Sequence, residues 1–249
     1  MLTLDKIYHA AFTMKNAIRQ TDLIYAPNIP SEGELYLKTE NLQVTGSFKV
    51  RGAYYKISQL TPEEKQRGVI ACSAGNHAHG VARAASMEGI SSKICLPDSA
   101  PISKIEATKR YGAEVVLVNG VYDDAYKKAR ELEKSEGRVF IHPFDDEDVI
   151  AGQGTIGLEL LEQLPDMEAV IVPIGGGGLI SGLAFAVKSL NPKCKVYGVQ
   201  VAGAPSMANS VCCGKIEELP TVATFADGIA VKRPGDLTFE LVSKYVDEV

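Results

Sequence analysis

The sequence predicts an α/β fold built on parallel sheet, and three observations carry that prediction. Short apolar, β-branched runs alternate with segments whose apolar residues recur three and four apart. Strand and helix alternating every twenty to twenty-five residues describe crossover units, whose strands lie parallel. Helix stop signals fall where this alternation needs them.

In order, the strand candidates are ELYLK (34–38), GVIACS (68–73), SKICLP (92–97), AEVVLV (113–118), RVFIHP (138–143), EAVIVPI (168–174) and KVYGVQV (195–201). Between them the helical period runs through SFKVRGAYYKISQL, NHAHGVARAASMEG, APISKIEATKRYG, YDDAYKKARELEKSEG, DDEDVIAGQGTIGLELLEQL and GLISGLAFAVKSL. Thr61-Pro62-Glu63-Glu64 reads as a capping box with proline at the first helical position. Gly89, Gly112 and Gly137 each follow a helical run where a left-handed cap is wanted. The last residues, LVSKYVDEV, read as a helix running into the start of another strand, a place where an α/β domain rarely stops, so a missing C-terminal part is expected.

With 45% hydrophobic residues, 249 residues can bury a sizeable core in one large domain or two small ones. The net charge of −5 comes from 31 acidic and 26 basic groups without a Lys/Arg block, which argues against nucleic acid as a partner. No apolar run reaches the roughly 18 residues of a membrane span, and the charged N-terminal stretch lacks the pattern of a leader. A cytoplasmic protein is expected. Five cysteines without a CxxC pair imply neither a disulfide framework nor a zinc site and read as reduced, mostly buried hydrophobes.

Three loops could carry chemistry. In PIGGGGLISG (173–182), four glycines after a strand and before a helix let successive N–H groups converge on an anion, most simply a phosphate. The spacing fits neither a dinucleotide fingerprint nor a P-loop, and a flexible connection is the plain alternative. In CSAGNHAHG (72–80), Ser73, Gly75 and Asn76 offer a hydroxyl, backbone N–H groups and an amide suited to a carboxylate. Asn76 as an ordinary N-cap fits that loop equally well. His77 and His79, two residues apart on a helix, point to opposite faces, which argues against a metal. In TGSFKVRGA (45–53), Ser47 as N-cap would put Phe48 and Lys49 in the first two helical positions, where the dipole disfavours a cation. A lysine of lowered pKa is a better amine nucleophile and can form a Schiff base, although an exposed lysine near a helix start is the simpler reading of that loop alone.

Taken together, TGSFKVRGA, ACSAGNHAHG, AGQGTIGLE (151–159), VPIGGGGLISG and ADGIAVKRPG (226–235) resemble the threonine/serine dehydratase family of fold type II pyridoxal-phosphate enzymes, in the family's order over essentially the whole chain. The resemblance implies two parallel-sheet domains like those of the tryptophan synthase β-subunit, with the cofactor cleft between them. Residues 1–45 and 149–249 would form the large domain and 46–148 the small one. It implies pyridoxal 5'-phosphate on Lys49, with Phe48 beside it and Asn76 on its ring hydroxyl. Gly175, Gly176, Gly177, Gly178 and Leu179 would line its phosphate, and Ser73, Ala74, Gly75, Asn76 and His77 would receive the substrate carboxylate. The reaction implied is β-elimination of water from L-threonine and L-serine, giving 2-oxobutyrate or pyruvate and ammonia, by a homo-oligomer serving isoleucine formation or threonine breakdown.

The chain departs from that pattern in places. His79 stands where the family's loop usually has Gln. Ala74 stands where serine racemases of the family carry a proton-transferring Ser, and Gln200 where racemase-like members carry Glu for a divalent cation, so racemisation and a metal site are disfavoured. No residue matches the family's later Ser- or Cys-containing loop at the pyridine nitrogen. A truncated, catalytically weak pyridoxal-phosphate-binding protein is therefore the alternative reading.

Overall fold

The computed structural model describes all 249 residues. Helix α1 (Leu4–Met14) precedes a short antiparallel pair, β1 (Leu23–Tyr25) and β2 (Tyr36–Lys38), in which Leu23 faces Lys38 and Tyr25 faces Tyr36. A four-stranded parallel sheet follows, made of β3 (Val69–Cys72), β4 (Ser92–Pro97), β5 (Glu114–Val118) and β6 (Val139–Phe140) in the spatial order β5-β4-β3-β6. Its crossovers are α4 (Asn76–Met87), α5 (Ile102–Arg110) and α6 (Tyr122–Glu136), entered through α2 (Lys49–Ser58) and α3 (Pro62–Arg67). Helix α7 (Glu147–Gln163) leads to a second parallel sheet of β7 (Ala169–Pro173) and β8 (Lys195–Val199), joined by α8 (Gly178–Leu190) and followed by α9 (Ser206–Cys213) and α10 (Asp236–Tyr245).

The strand sequences explain these layers. Every residue of β3 is buried, as a central parallel strand covered on both faces requires. On one face Val69 and Ala71 pack with Ile94, Leu96 and the α4 residues Val81, Ala84 and Ala85; on the other Ile70, Cys72 and Cys95 meet Ala125 and Ala129 of α6. A separate core joins Val172 and Val196 of the second sheet to Ile180, Leu183 and Val187 of α8. A third ties α1 to α7 through Ile7, Met14, Ile150 and Tyr55.

The capping box forms as the sequence predicts, with Glu64 N–H donating to Thr61 Oγ1 (3.2 Å) and Thr61 N–H to Glu64 Oε2 (2.9 Å). Gly89, Gly112 and Gly137 adopt φ of 67°, 90° and 68° after their helices. Glu248 bridges to Tyr197 in parallel, so the terminal stretch does begin to pair with β8. Two departures have plain causes. Helix α1 escapes a periodicity search because exposed Tyr8 and Phe12 share it with buried Ile7, Ala10 and Met14. The RVFIHP run forms only a two-residue strand, since pairing stops at Phe140↔Ile70. Of the five cysteines, expected to be mostly buried, Cys72, Cys95 and Cys194 are buried and Cys212 and Cys213 are exposed at the end of α9. No helix is long and apolar enough to cross a membrane.

Candidate active site

Lys49 opens α2 after β2 and a turn through Gly46, whose φ of 75° takes the chain round the corner. Ser47 Oγ accepts the Lys49 N–H (3.2 Å), as expected of a cap, but the helix begins one residue later than the sequence predicts, with Phe48 (φ −60°, ψ −17°) in the N-cap position. Lys49 is thus the first helical residue rather than the second. Helix α2 is pressed between its neighbours: Gly80 of α4 lies against the Lys49 carbonyl, and Gly52 faces Gly152 of α7 so closely that neither could carry a Cβ. Lys49 Nζ donates to the Pro143 carbonyl (2.8 Å) and stands 5.4 Å from the centroid of the Phe48 ring. No carboxylate pairs with it, and burial lowers its ammonium from 10.5 to about 8.

The glycine loop lies between β7 and α8. Gly176, Gly177 and Gly178 are buried, yet from Gly175 to Ile180 no backbone N–H finds an acceptor in the chain. Unpaired buried donors are rare, and a run of them at the start of a 13-residue helix is the donor set of an anion site. Gly177 sits at φ 98°, where an L side chain would be strained, and a Cβ on Gly176 would collide with the Phe144 ring.

The third loop follows β3. Ser73 Oγ accepts the Gly75 N–H (3.1 Å), while the N–H groups of Ala74, Asn76 and His77 have no acceptor in the chain. Gly75, not Asn76, is the N-cap of α4, so the plain reading of Asn76 as a cap does not hold. Asn76 is exposed and its amide makes no hydrogen bond within the chain. His77 turns inward, its Nε2 2.9 Å from the Ile141 carbonyl, and burial, with the nearby Lys49 charge, holds its pKa down at about 3. His79 packs beside Tyr111 instead, and no three His, Cys, Asp or Glu side chains are placed together so as to hold a metal ion. Gln200 is spent on backbone: its Nε2 donates to the Ile174 carbonyl (3.3 Å) and its Oε1 accepts the Ala208 N–H (2.9 Å).

Four residues absent from the sequence reading support these loops. Arg51 is fully buried and forms two-point contacts with both Glu40 and Glu159, tying α2 to α7. His142 Nδ1 accepts the N–H groups of Phe144 (3.3 Å) and Asp145 (2.8 Å), which fixes the neutral tautomer with its proton on Nε2. Asp145 and Thr238 hold the start of α10 behind the glycine loop. Nothing in the sequence separates Arg51 from Lys49 and Lys56 of the same helix; only its burial between Glu40 and Glu159 does.

An amine that is easily neutralised can hold a carbonyl compound, and the two runs of free N–H groups suit a phosphate and a carboxylate; the chain belongs to the pyridoxal-phosphate dependent enzyme family, whose profile matches residues 14–249. It is 56% identical over 252 residues to an L-threonine ammonia-lyase of Thermotoga maritima, an alignment covering 100% of this chain and 63% of that protein. Maize serine racemase superposes with a TM-score of 0.96 at 38% identity, over 100% of this chain and 76% of the other. Threonine deaminase isoform 2 from Solanum lycopersicum superposes at 0.94 with 40% identity, over 99% and 74%. The chain thus spans a little under two thirds of the length of that Thermotoga relative.

Proposed function

We propose that this chain is the cofactor-bearing part of a threonine ammonia-lyase, which removes water and ammonia from L-threonine, and from L-serine, to give 2-oxobutyrate or pyruvate. The observation that carries the reading is Lys49, an amine without an acidic partner whose ammonium is lowered to about 8, set among loops of unpaired N–H groups. The relatives' names supply the substrate class: the Thermotoga protein is an L-threonine ammonia-lyase and the Solanum protein a threonine deaminase.

The residues present fit pyridoxal phosphate. Lys49 Nζ would hold its aldehyde, Phe48 would lie beside it, and the amide of Asn76, which makes no hydrogen bond within the chain, would meet its ring hydroxyl. The N–H groups of Gly175, Gly176, Gly177, Gly178 and Leu179 and the positive end of α8 would bind its phosphate. When bound, the cofactor supplies an electron sink for charge left at the substrate's α-carbon. The chain supplies the rest. The N–H groups of Ala74, Asn76 and His77, with Ser73 and Gly75 shaping the turn, would bind the substrate carboxylate. Lys49 Nζ, neutral in a useful fraction near pH 8, would take the α-proton. Ala74 offers a methyl and no second proton donor, which disfavours racemisation despite the likeness to serine racemase. We take residues 46–148 as a small domain set against 1–45 and 149–249, with closure of the cleft excluding water.

The test is the purified chain with added pyridoxal phosphate, followed by visible absorption, by mass after borohydride reduction, and by keto-acid formation from L-threonine. Covalent capture should rise with pH about a midpoint near 8, should vanish in Lys49→Ala, and should accompany 2-oxobutyrate formation. Equal capture by Lys49→Ala would overturn the lysine assignment. Capture without turnover of threonine or serine would leave the chain a cofactor-binding protein.

A further inference from the structure

The proposed reaction leaves two stretches without a role, ADGIAVKRPG and the HPFDD segment before α7, and both meet behind the glycine loop. The Gly176 carbonyl accepts the Thr238 hydroxyl (2.6 Å) and, more weakly, the Gly235 N–H (3.4 Å). Thr238 is completely buried, and its alternative acceptor, the Gly235 carbonyl, is farther away at 3.3 Å. The start of α10 that carries Thr238 has no side-chain cap of its own, because its N-cap is Gly235. Asp145 closes it from the far side of the loop, its carboxylate accepting the N–H groups of Asp236 (3.1 Å), Leu237 (3.0 Å) and Thr238 (3.1 Å).

A trans peptide unit is planar, with its C=O and N–H pointing in opposite directions. Anchoring the Gly176 oxygen to Thr238 therefore aims the Gly177 N–H the other way. Glycine at 176 and 177 leaves that unit free to rotate unless something outside the loop holds it. We propose that Thr238 is a positioning residue for the phosphate cradle: its hydroxyl, clamped through α10 by Asp145, fixes the Gly176–Gly177 peptide so that Gly177 N–H faces the bound phosphate. The proposal rests on the glycine loop being the phosphate site. It gives ADGIAVKRPG a physical purpose, since Ile229 and Val231 of that stretch back Gly175 while its end delivers Gly235 and Thr238 to Gly176.

The experiment compares equilibrium binding of pyridoxal phosphate with that of pyridoxal, which keeps the aldehyde and lacks the phosphate, for the full chain and its variants. Thr238→Val should weaken pyridoxal phosphate by about tenfold, the worth of one well-placed hydrogen bond, and leave pyridoxal unchanged. Thr238→Ser should keep the parental ratio of the two affinities. If the valine chain does not fold, Thr238→Ala removes the hydroxyl without adding a methyl and reads the same ratio. An unchanged ratio in the hydroxyl-free variant, or an equal loss for both ligands, overturns the proposal, because a purely structural residue would behave that way. A parental chain that binds both ligands equally would instead show that the loop is no phosphate site, and the proposal would fall with it.

Discussion

Replacing Arg51 by methionine tests what holds α2, and with it Lys49, in register. The guanidinium is 0% exposed, and Glu40 and Glu159 are each 13% exposed. Arg51 Nε and Nη2 reach Glu40 at 2.9 and 2.7 Å, while Nη1 and Nη2 both reach Glu159. Methionine fills much of the volume but leaves the carboxylates facing one another. Removing one partner of a buried ion pair costs about 3–5 kcal/mol. Lys38 Nζ remains 2.6 Å from Glu159 Oε2. That surviving pair moves the expected loss toward about 3 kcal/mol. The pH dependence has a definite sign. Burial pushes the Glu40 carboxyl up, but hydrogen bonding to Arg51 and its charge outweigh burial and hold it below its usual range. Its contribution is therefore complete above an unfolded glutamate's pKa of about 4.3 and is lost as pH falls through the lower folded value. In the variant, with the guanidinium gone, burial sends the carboxyl upward, so protonation relieves the strain. The deficit should be largest near neutrality and shrink toward about pH 4. Urea unfolding followed by far-ultraviolet circular dichroism is the assay, since the chain has no tryptophan. A loss under about 1 kcal/mol, the range of an exposed pair, or one that does not shrink with acid, would refute the reasoning.

Two further predictions are simpler. Burial lowers His77 to about 3 and His142 to about 4, against about 6.5 for an unfolded imidazole. The stability from keeping both rings neutral is present above about pH 6.5 and fades as pH falls toward those values; proton NMR at pH 5 should still find both rings neutral, and a midpoint near 6.5 for either would refute it. Thr61→Ala removes the hydroxyl that caps α3 and should lower stability by about 1 kcal/mol with cofactor binding unchanged. An unaltered unfolding midpoint would mean that packing alone holds α3.

The parallel sheets were legible because their strands read as short β-branched runs between helical periods, most plainly VIAC of β3, whose four residues are all buried; β5 and β7 keep that composition although much of each is exposed. Lys49 and the two other loops were legible because glycine and small polar residues at strand ends have few other uses. The supports were not. Thr238 and Asp145 look like ordinary surface residues in sequence, 93 positions apart, and only the fold brings the Asp145 carboxylate to the Thr238 N–H. Phe48 displaced Ser47 from the cap position for a similar reason: a one-residue shift at a helix start costs little, and contacts with α4 and α7 decide it.

The supports converge on one short segment, the connection from β6 to α7. The Ile141 carbonyl receives His77, the Pro143 carbonyl receives Lys49 Nζ, Phe144 backs Gly176 and Gly178, and Asp145 closes α10. Asp146 then caps α7 through the N–H groups of Asp148 and Val149 and meets Lys56 Nζ at 2.8 Å. Every acid in this run that carries a strong contact spends it on a helix end or on a lysine other than Lys49. The atom that meets Lys49 is a neutral carbonyl. A carboxylate at that point would stabilise the ammonium and lift its pKa, undoing what burial achieves, whereas a carbonyl orients the amine and leaves it ready to lose a proton. The placement of Pro143 and its carbonyl just ahead of four acidic residues, 145–148, is thus what lets the segment tie these elements together without giving Lys49 a carboxylate partner.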